Sequence, residues 1–253
     1  MVSDSEFANA NLQIVRTADG SDTIAFPEAA QHYHSTFGAI TESKHIFIDA
    51  GLQYIIEQPD FQNNKESNTL EILEIGFGTG LNALLTLIQA EKTGILVHYT
   101  AIEPYPIEKS IWSALNYPSC LGSVDHLQAF HRLHEAEWGI QVPVSPHFTL
   151  RKIQTSVQKF SPAPLQYQLI YFDAFSPDAQ PELWTEEIFG TLSKGMAIGG
   201  CLVTYSVKGL IVRALRANGF LTQKLSGPPG KRHILRALKA IQDTGDKKFS
   251  TMM

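Results

Sequence analysis

The run Leu73-Glu74-Ile75-Gly76-Phe77-Gly78-Thr79-Gly80-Leu81-Asn82 constrains this chain more than any other segment. An apolar stretch of the buried-strand type leads straight into three glycines, and a helix-like pattern follows at once. Glycine lets the chain turn sharply and lets a ligand approach the backbone. The first amides of a helix have no intrahelical partner and face whatever lies in front of it. A glycine pattern is informative when strand and helix flank it, as they do here.

From Leu70 onward, strand-like runs alternate with helical patterns. Strands are predicted at Leu70 to Ile75, Leu96 to Glu103, His147 to Ile153, Tyr167 to Asp173, Gly200 to Tyr205, Phe220 to Leu225 and Arg232 to Leu238. Helices are predicted near Leu81 to Ala90, Ile107 to Asn116, Val124 to Glu135, Pro181 to Leu192 and Leu210 to Asn218. This alternation implies an α/β fold, a doubly wound, Rossmann-like sheet with helices on both faces. Ahead of it lies a β-rich N-terminal extension. Leu12 to Phe26 reads as two short strands around a turn at Ala18-Asp19-Gly20-Ser21, His45-Ile46-Phe47-Ile48 as another strand, and Gln58 to Asn68 as a surface loop. The expected division is an extension over residues 1–68 packed on the main domain, the main domain over 69–241, and a flexible polar tail over 242–253.

A chain of 253 residues with 43% hydrophobic and 18% charged residues can build a sizeable core, which excludes wholesale disorder. Met1 to Ala10 lacks the layout of a signal peptide, and the apolar stretch near Ala83 to Ile88 is too short to cross a bilayer. Cys120 and Cys201 have no zinc spacing and cannot form a disulfide framework. A reduced cytoplasmic setting without a membrane partner is expected. The net charge of −5 excludes a protein that is basic overall. Yet half of the Lys and Arg residues lie from Lys208 onward, against only Asp243 and Asp246. That asymmetry suits either a polyanion-binding patch or a solvated helix face with a frayed tail.

The dinucleotide fingerprint separates its last two glycines by three positions to seat a pyrophosphate. Gly78 and Gly80 are only two apart, and Glu74 precedes the turn. An acid there repels pyrophosphate but suits the ammonium group of an amino-acid moiety, which S-adenosylmethionine carries. Glu74, Gly76, Phe77, Gly78, Thr79, Gly80 and Asn82 are therefore the candidate cofactor residues. Glu103, ending the second strand, is placed to accept hydrogen bonds from ribose hydroxyls. The strand Leu169-Ile170-Tyr171-Phe172 ends in Asp173-Ala174-Phe175-Ser176-Pro177. Ligands of doubly wound sheets bind beyond the carboxyl ends of the strands, so Asp173 should share the crevice with Gly78 and Glu103, as a catalytic acid and cofactor neighbour. A carboxylate there can hold an amine and help remove its proton. His126, His131 and His134 lack zinc-protease spacing, so no metal is expected. Trp112, Trp138 and Trp184 read as core or interface anchors rather than a base-stacking platform.

The chain also resembles the tRNA 5-methylaminomethyl-2-thiouridine methyltransferase family, the methyltransferase domain of MnmC and its standalone MnmD type. The resemblance spans most of the chain. It rests on Gly38-Ala39-Ile40-Thr41-Glu42-Ser43 with Ile46-Phe47, on the Glu74 to Asn82 loop, and on Asp173-Ala174-Phe175-Ser176-Pro177 with Pro181-Glu182-Leu183-Trp184. It continues in Tyr205-Ser206, Val212-Arg213-Ala214-Leu215, Asn218-Gly219-Phe220 and Gly230-Lys231-Arg232. It implies methyl transfer from S-adenosylmethionine to the primary amine of 5-aminomethyl-(2-thio)uridine at the wobble position of tRNA. It further implies Asp173 as the catalytic-site acid and Phe175, Pro177, Lys231 and Arg232 as substrate-binding candidates, the two basic residues on tRNA phosphates. Where the family carries Gly-Asp near the adenine, this chain has Arg151-Lys152. The chain leaves no room for the oxidase half of the fused enzyme, so no FAD is expected. An aminopropyltransferase of the spermidine-synthase type shares the loop and the strand-four acid, but carries a second acid where this chain has Ser176. A small-amine methyltransferase is the other alternative.

Overall fold

The computed structural model describes residues 11–27, 31–63 and 68–240. Three short antiparallel strands open the chain: β1 (Gln13–Arg16), β2 (Asp22–Phe26) and β3 (Gln31–His32). The turn between β1 and β2 falls where the sequence puts it. A helical stretch over residues 39–56, α1, follows. It consists of α-helix Ala39–Ser43, π-helical Lys44–Gln53 and α-helical Tyr54–Ile56, and a short helix α2 (Pro59–Asn63) comes after it.

The main sheet takes β4 (Thr69–Ile75), β5 (Leu96–Ile102), β6 (Gln141–Ser145), β7 (Phe148–Ile153), β8 (Tyr167–Phe172), β9 (Met196–Thr204), β10 (Phe220–Ser226) and β11 (His233–Lys239). Their order is β10-β11-β9-β8-β4-β5-β7-β6. β7, β5, β4, β8 and β9 run parallel, while β6, β11 and β10 are antiparallel to their neighbours. Helices α3 (Leu81–Thr93), α4 (Lys109–Trp112), α5 (Tyr117–Cys120), α6 (Val124–Glu135), α7 (Glu186–Gly195) and α8 (Gly209–Ala217) connect them.

Both sheet faces are buried, which is why the strands read as apolar runs rather than alternating ones. Along β4, Leu70 and Ile72 join a core with Phe47, Leu84 and Phe130. Leu73 and Ile75 join the opposite core with Phe189 and Leu215. The doubly wound expectation holds. From β4 the chain moves outward to β5, goes on to the edge strand β6, returns to β7 between them, and then crosses to β8 on the other side of β4. That reversal opens a crevice at the carboxyl ends of β4 and β8, where ligands of such sheets bind.

Several elements differ from the sequence expectation. His45-Ile46-Phe47-Ile48 is helical, inside α1. A short apolar run does not distinguish a strand from a helix that is buried on most sides. Phe47 packs on Tyr171 with ring centres 5.2 Å apart, and a Cβ on Gly51 would sit 3.0 Å from Val203 Cγ2. Pro59–Asn63 is a helix rather than part of a loop. Only Lys109–Trp112 of the helix expected over Ile107 to Asn116 forms as one piece. The helix expected from Pro181 is split: a 3₁₀ turn (Pro181–Leu183) precedes α7, which restarts where the Thr185 hydroxyl accepts from Ile188 N–H. β6 escaped notice because Pro143 breaks its pattern, a residue that edge strands tolerate. Met1 to Ala10 and the tail over 242–253 lie outside the described residues. Among the described residues, no helix is long and apolar enough to cross a membrane.

Candidate functional site

The glycine loop is tied to two neighbouring strands. The N–H groups of Gly76 and Phe77 donate to the Ile102 carbonyl at 2.9 and 3.2 Å, and Asp173 N–H donates to the Ile75 carbonyl at 3.0 Å. Gly76 has φ +92°, and a Cβ on it would sit 2.8 Å from the Asp173 carbonyl oxygen. Only glycine lets the ends of β4 and β8 come this close.

Glu103 follows the end of β5 and is buried. Its carboxylate accepts from Gly78 N–H at 3.0 Å and from Tyr105 N–H at 2.9 Å. Burial pushes its carboxyl up to about 7, against the lowering effect of those two amides. Asn82, in the first turn of α3, donates through Nδ2 to Glu74 Oε1 at 3.0 Å and to Asp173 Oδ2 at 2.9 Å. Glu74 is fully buried, and burial holds it well above the usual carboxylate range, with the Asn82 bond opposing and Asp173 adding to the rise. Asp173 is pushed up to about 7: burial raises it most, the Asn82 bond and Lys231 oppose, and Glu42 adds to the rise.

The segment after Asp173 is held from behind. Trp184 Nε1–H donates to the Phe175 carbonyl at 2.9 Å, and the Tyr205 hydroxyl donates to the Ala174 carbonyl at 2.8 Å. Trp184 is fully buried against Phe172, a core anchor as its sequence setting suggests. Phe175 meets the edge of Tyr33, with centroids 5.0 Å apart. On the far wall, Lys231 Nζ lies 3.1 Å from Glu42 Oε1 and 5.1 Å from the centre of the Tyr205 ring.

These groups surround one cleft of about 420 Å³. Of the sequence candidates, Gly76, Phe77, Gly78, Thr79, Glu103, Asp173, Phe175 and Lys231 line it. Glu74, Gly80 and Asn82 stand behind the wall. Pro177 is buried outside the lining, and Arg232 is exposed. Sequence reasoning missed Tyr33, Glu42, Tyr205 and the Ser156 to Gln158 segment, all of which line the cleft. Tyr205 follows the last residue of β9, so the strand-end rule that found Glu103 and Asp173 would also have found it. Glu42 sits on α1, outside the alternating region, and nothing local marks Tyr33.

Arg151 is exposed and Lys152 is buried, and neither lines the cleft. Lys152 Nζ donates to the His134 carbonyl and lies 4.7 Å from the Trp138 ring centre and 5.4 Å from that of Phe77. Burial lowers it to about 8. His134 stacks on Trp112 at 4.4 Å, and its Nε2–H donates to the Thr79 carbonyl at 3.1 Å. Burial pushes this histidine down to about 3, so it is neutral near pH 7. Together these residues form a packed support under the glycine loop. Among the described residues, no group of three or more His, Cys, Asp or Glu side chains gathers to hold a metal ion.

A cleft edged by Glu103, Asp173 and Glu42 repels phosphates and suits a ligand with cationic and hydroxyl groups. Residues 127–240 match the sequence model of a family described as S-adenosyl-L-methionine-dependent methyltransferase. Over this stretch the chain is similar to that family. It is 32% identical over 224 residues to the tRNA 5-methylaminomethyl-2-thiouridine biosynthesis bifunctional protein MnmC of Magnetococcus marinus, an alignment covering 82% of this chain and 31% of that one. The protein of the same name from Cupriavidus metallidurans is 29% identical over 219 residues, covering 80% and 30%. The chain thus spans about a third of the length of the curated relatives it matches. Among solved structures, MNMC2 from Aquifex aeolicus superposes with a TM-score of 0.71 at 24% identity, covering 92% of this chain and 71% of that one. Spermidine synthase from Thermotoga maritima gives a TM-score of 0.52 at 14% identity, covering 91% and 69%. Both likenesses concern the fold.

Proposed function

We propose that this methyltransferase N-methylates the aminomethyl group of 5-aminomethyl-(2-thio)uridine at the wobble position of tRNA, giving 5-methylaminomethyl-(2-thio)uridine. The observation that carries the proposal is Asp173: an acid at the end of β8 facing the same cleft as Gly76, Gly78 and Glu103. The names of the relatives supply the substrate class.

The cleft fits S-adenosylmethionine. Its volume lies within the range of small-molecule sites, Gly76 and Gly78 keep its floor free of side chains, and a buried carboxylate, Glu103, awaits hydroxyl donors. Glu103 would take the ribose hydroxyls, and Gly76, Phe77, Gly78 and Thr79 would line the donor. Glu74, Gly80 and Asn82 would act from behind, Glu74 through Asn82 on Asp173. When bound, the donor supplies an electrophilic methyl carbon: the amine nitrogen forms the new C–N bond as the S–C bond breaks, and that electron pair stays on sulfur. Asp173 would accept an N–H hydrogen bond and aim the lone pair, and one proton leaves to Asp173 or to water. Much of the rate would come from this positioning. Phe175 would pack against the uracil ring. Pro177 would stiffen the segment that carries Phe175, and Arg232 would meet tRNA phosphates. A tRNA substrate places the reaction in the cytoplasm.

The test is nucleoside mass spectrometry of tRNA from a strain lacking this protein. Accumulation of the 5-aminomethyl-type uridine is expected. An unchanged nucleoside profile would instead point to a small-amine acceptor.

A further inference from the structure

The cleft wall facing Asp173 carries a charge arrangement that methyl transfer as described leaves unused. Glu42, on α1, is buried; its Oε2 accepts from Ser35 N–H at 2.8 Å, and its Oε1 holds Lys231 Nζ at 3.1 Å. The ammonium also lies over the Tyr205 ring at 5.1 Å. Among the described residues, Lys231 is the one Lys or Arg that lines the cleft. The other ionisable groups that line the cleft come from several elements: His32 from β3 and Tyr33 just after it, Glu42 from α1, Glu103 and Tyr105 from the segment after β5, Asp173 from the end of β8, Glu182 from the 3₁₀ turn and Tyr205 from the end of β9. His34, from the loop after β3, is pushed down to about 4 chiefly by burial and stays neutral near pH 7.

An alkylamine acceptor has a pKa of about 10.4 in water and attacks only after losing a proton. Asp173 and Glu42 alone would favour its ammonium form. A neighbouring cation does the opposite. Resting on the reading above, we propose that Lys231 is a positioning residue for the acceptor: its ammonium, fixed by Glu42 and the Tyr205 ring, disfavours a second cation beside Asp173 and keeps the acceptor amine neutral. The displaced proton goes to water. Glu42 has its own part, since it restrains Lys231 from collapsing onto Asp173 and leaves that carboxylate for the substrate. This gives Lys231 a different task from the exposed Arg232 next to it.

The experiment is single-turnover methylation of tRNA bearing the aminomethyl uridine, across pH, with wild type, Lys231→Met and Lys231→Arg, together with melting temperature and the salt dependence of tRNA binding. Loss of the cation raises the pKa of both the amine and Asp173, so the acidic limb of the rate profile should move to higher pH in Lys231→Met. For a move of one pH unit, the rate falls about tenfold at pH values below the wild-type limb, falls less at the limb itself, and recovers towards wild type at high pH. Lys231→Arg should bring the limb back, and the salt slope of tRNA binding should stay as in wild type. An equal loss at every pH, or an unmoved limb with a flattened salt slope, overturns the inference. Wild-type protein that leaves the aminomethyl uridine unmethylated overturns the functional reading itself.

Discussion

Glu103 and Asp173 share one physical condition: burial lifts both carboxyls to about 7, so a ligand that donates hydrogen bonds finds acceptors already desolvated. Glu103 makes this testable on the protein alone. Unfolded, it loses its proton near 4.5; folded, it keeps it to about 7. Between these values the native state binds more protons, so stability falls as pH rises through that window and the loss is complete above about 7. In Glu103→Gln, thermal unfolding should vary less with pH between 5 and 7. Calorimetry should also show weaker S-adenosylmethionine binding, by roughly 1.5–3 kcal/mol for hydrogen bonds to a charged acceptor. Equal affinity in both proteins would remove Glu103 from the donor site. Both acids were visible in the sequence because each ends an apolar strand. Glu42 and Lys231 as a pair were not, since their approach joins residues from opposite ends of the chain.

At the scale of elements, strands bounded by glycine, proline or acids were legible from Leu70 onward. Val124–Glu135 forms as read because its amphipathic pattern begins at a Ser123 cap that accepts from Asp125 N–H. The misreading of His45 to Ile48 has a packing cause. α1 lies under the sheet, apolar on most of its surface, and Gly51 lets it approach Val203 and Tyr171. A side chain at Gly51 would meet Val203 at 3.0 Å and Tyr171 at 3.3 Å. Gly51→Val should therefore lower stability by about 1–3 kcal/mol, the usual cost of overpacking. Urea unfolding checks this, and an unchanged midpoint would mean that the helix is free to shift away from the sheet.

Over the whole molecule, the fold expectation held because a doubly wound sheet follows from strand–helix alternation, whereas the part played by the N-terminal segment did not show in the pattern. We keep the division at 68/69 as a proposal, although α1 contributes Ile46, Phe47 and Leu52 to the core shared with the sheet. The basic C-terminal half gives exposed Arg213, Arg216, Lys224 and Arg232, a set suited to a polyanion. Each phosphate that is no longer neutralised should flatten the salt dependence of tRNA binding by about one unit of slope. Arg232→Ala should do so without changing donor affinity; an unaltered slope would take Arg232 off the RNA surface. The most direct measurement of the central claim is transfer of a labelled methyl group from S-adenosylmethionine to tRNA carrying 5-aminomethyl-(2-thio)uridine, with purified wild type and Asp173→Ala. Wild type should convert that nucleoside to its methylaminomethyl form, and Asp173→Ala should be slower by a factor on the order of 10²–10⁴ while its donor affinity changes less. No label in that nucleoside with wild type, or equal rates for the two proteins at every pH, would contradict the account.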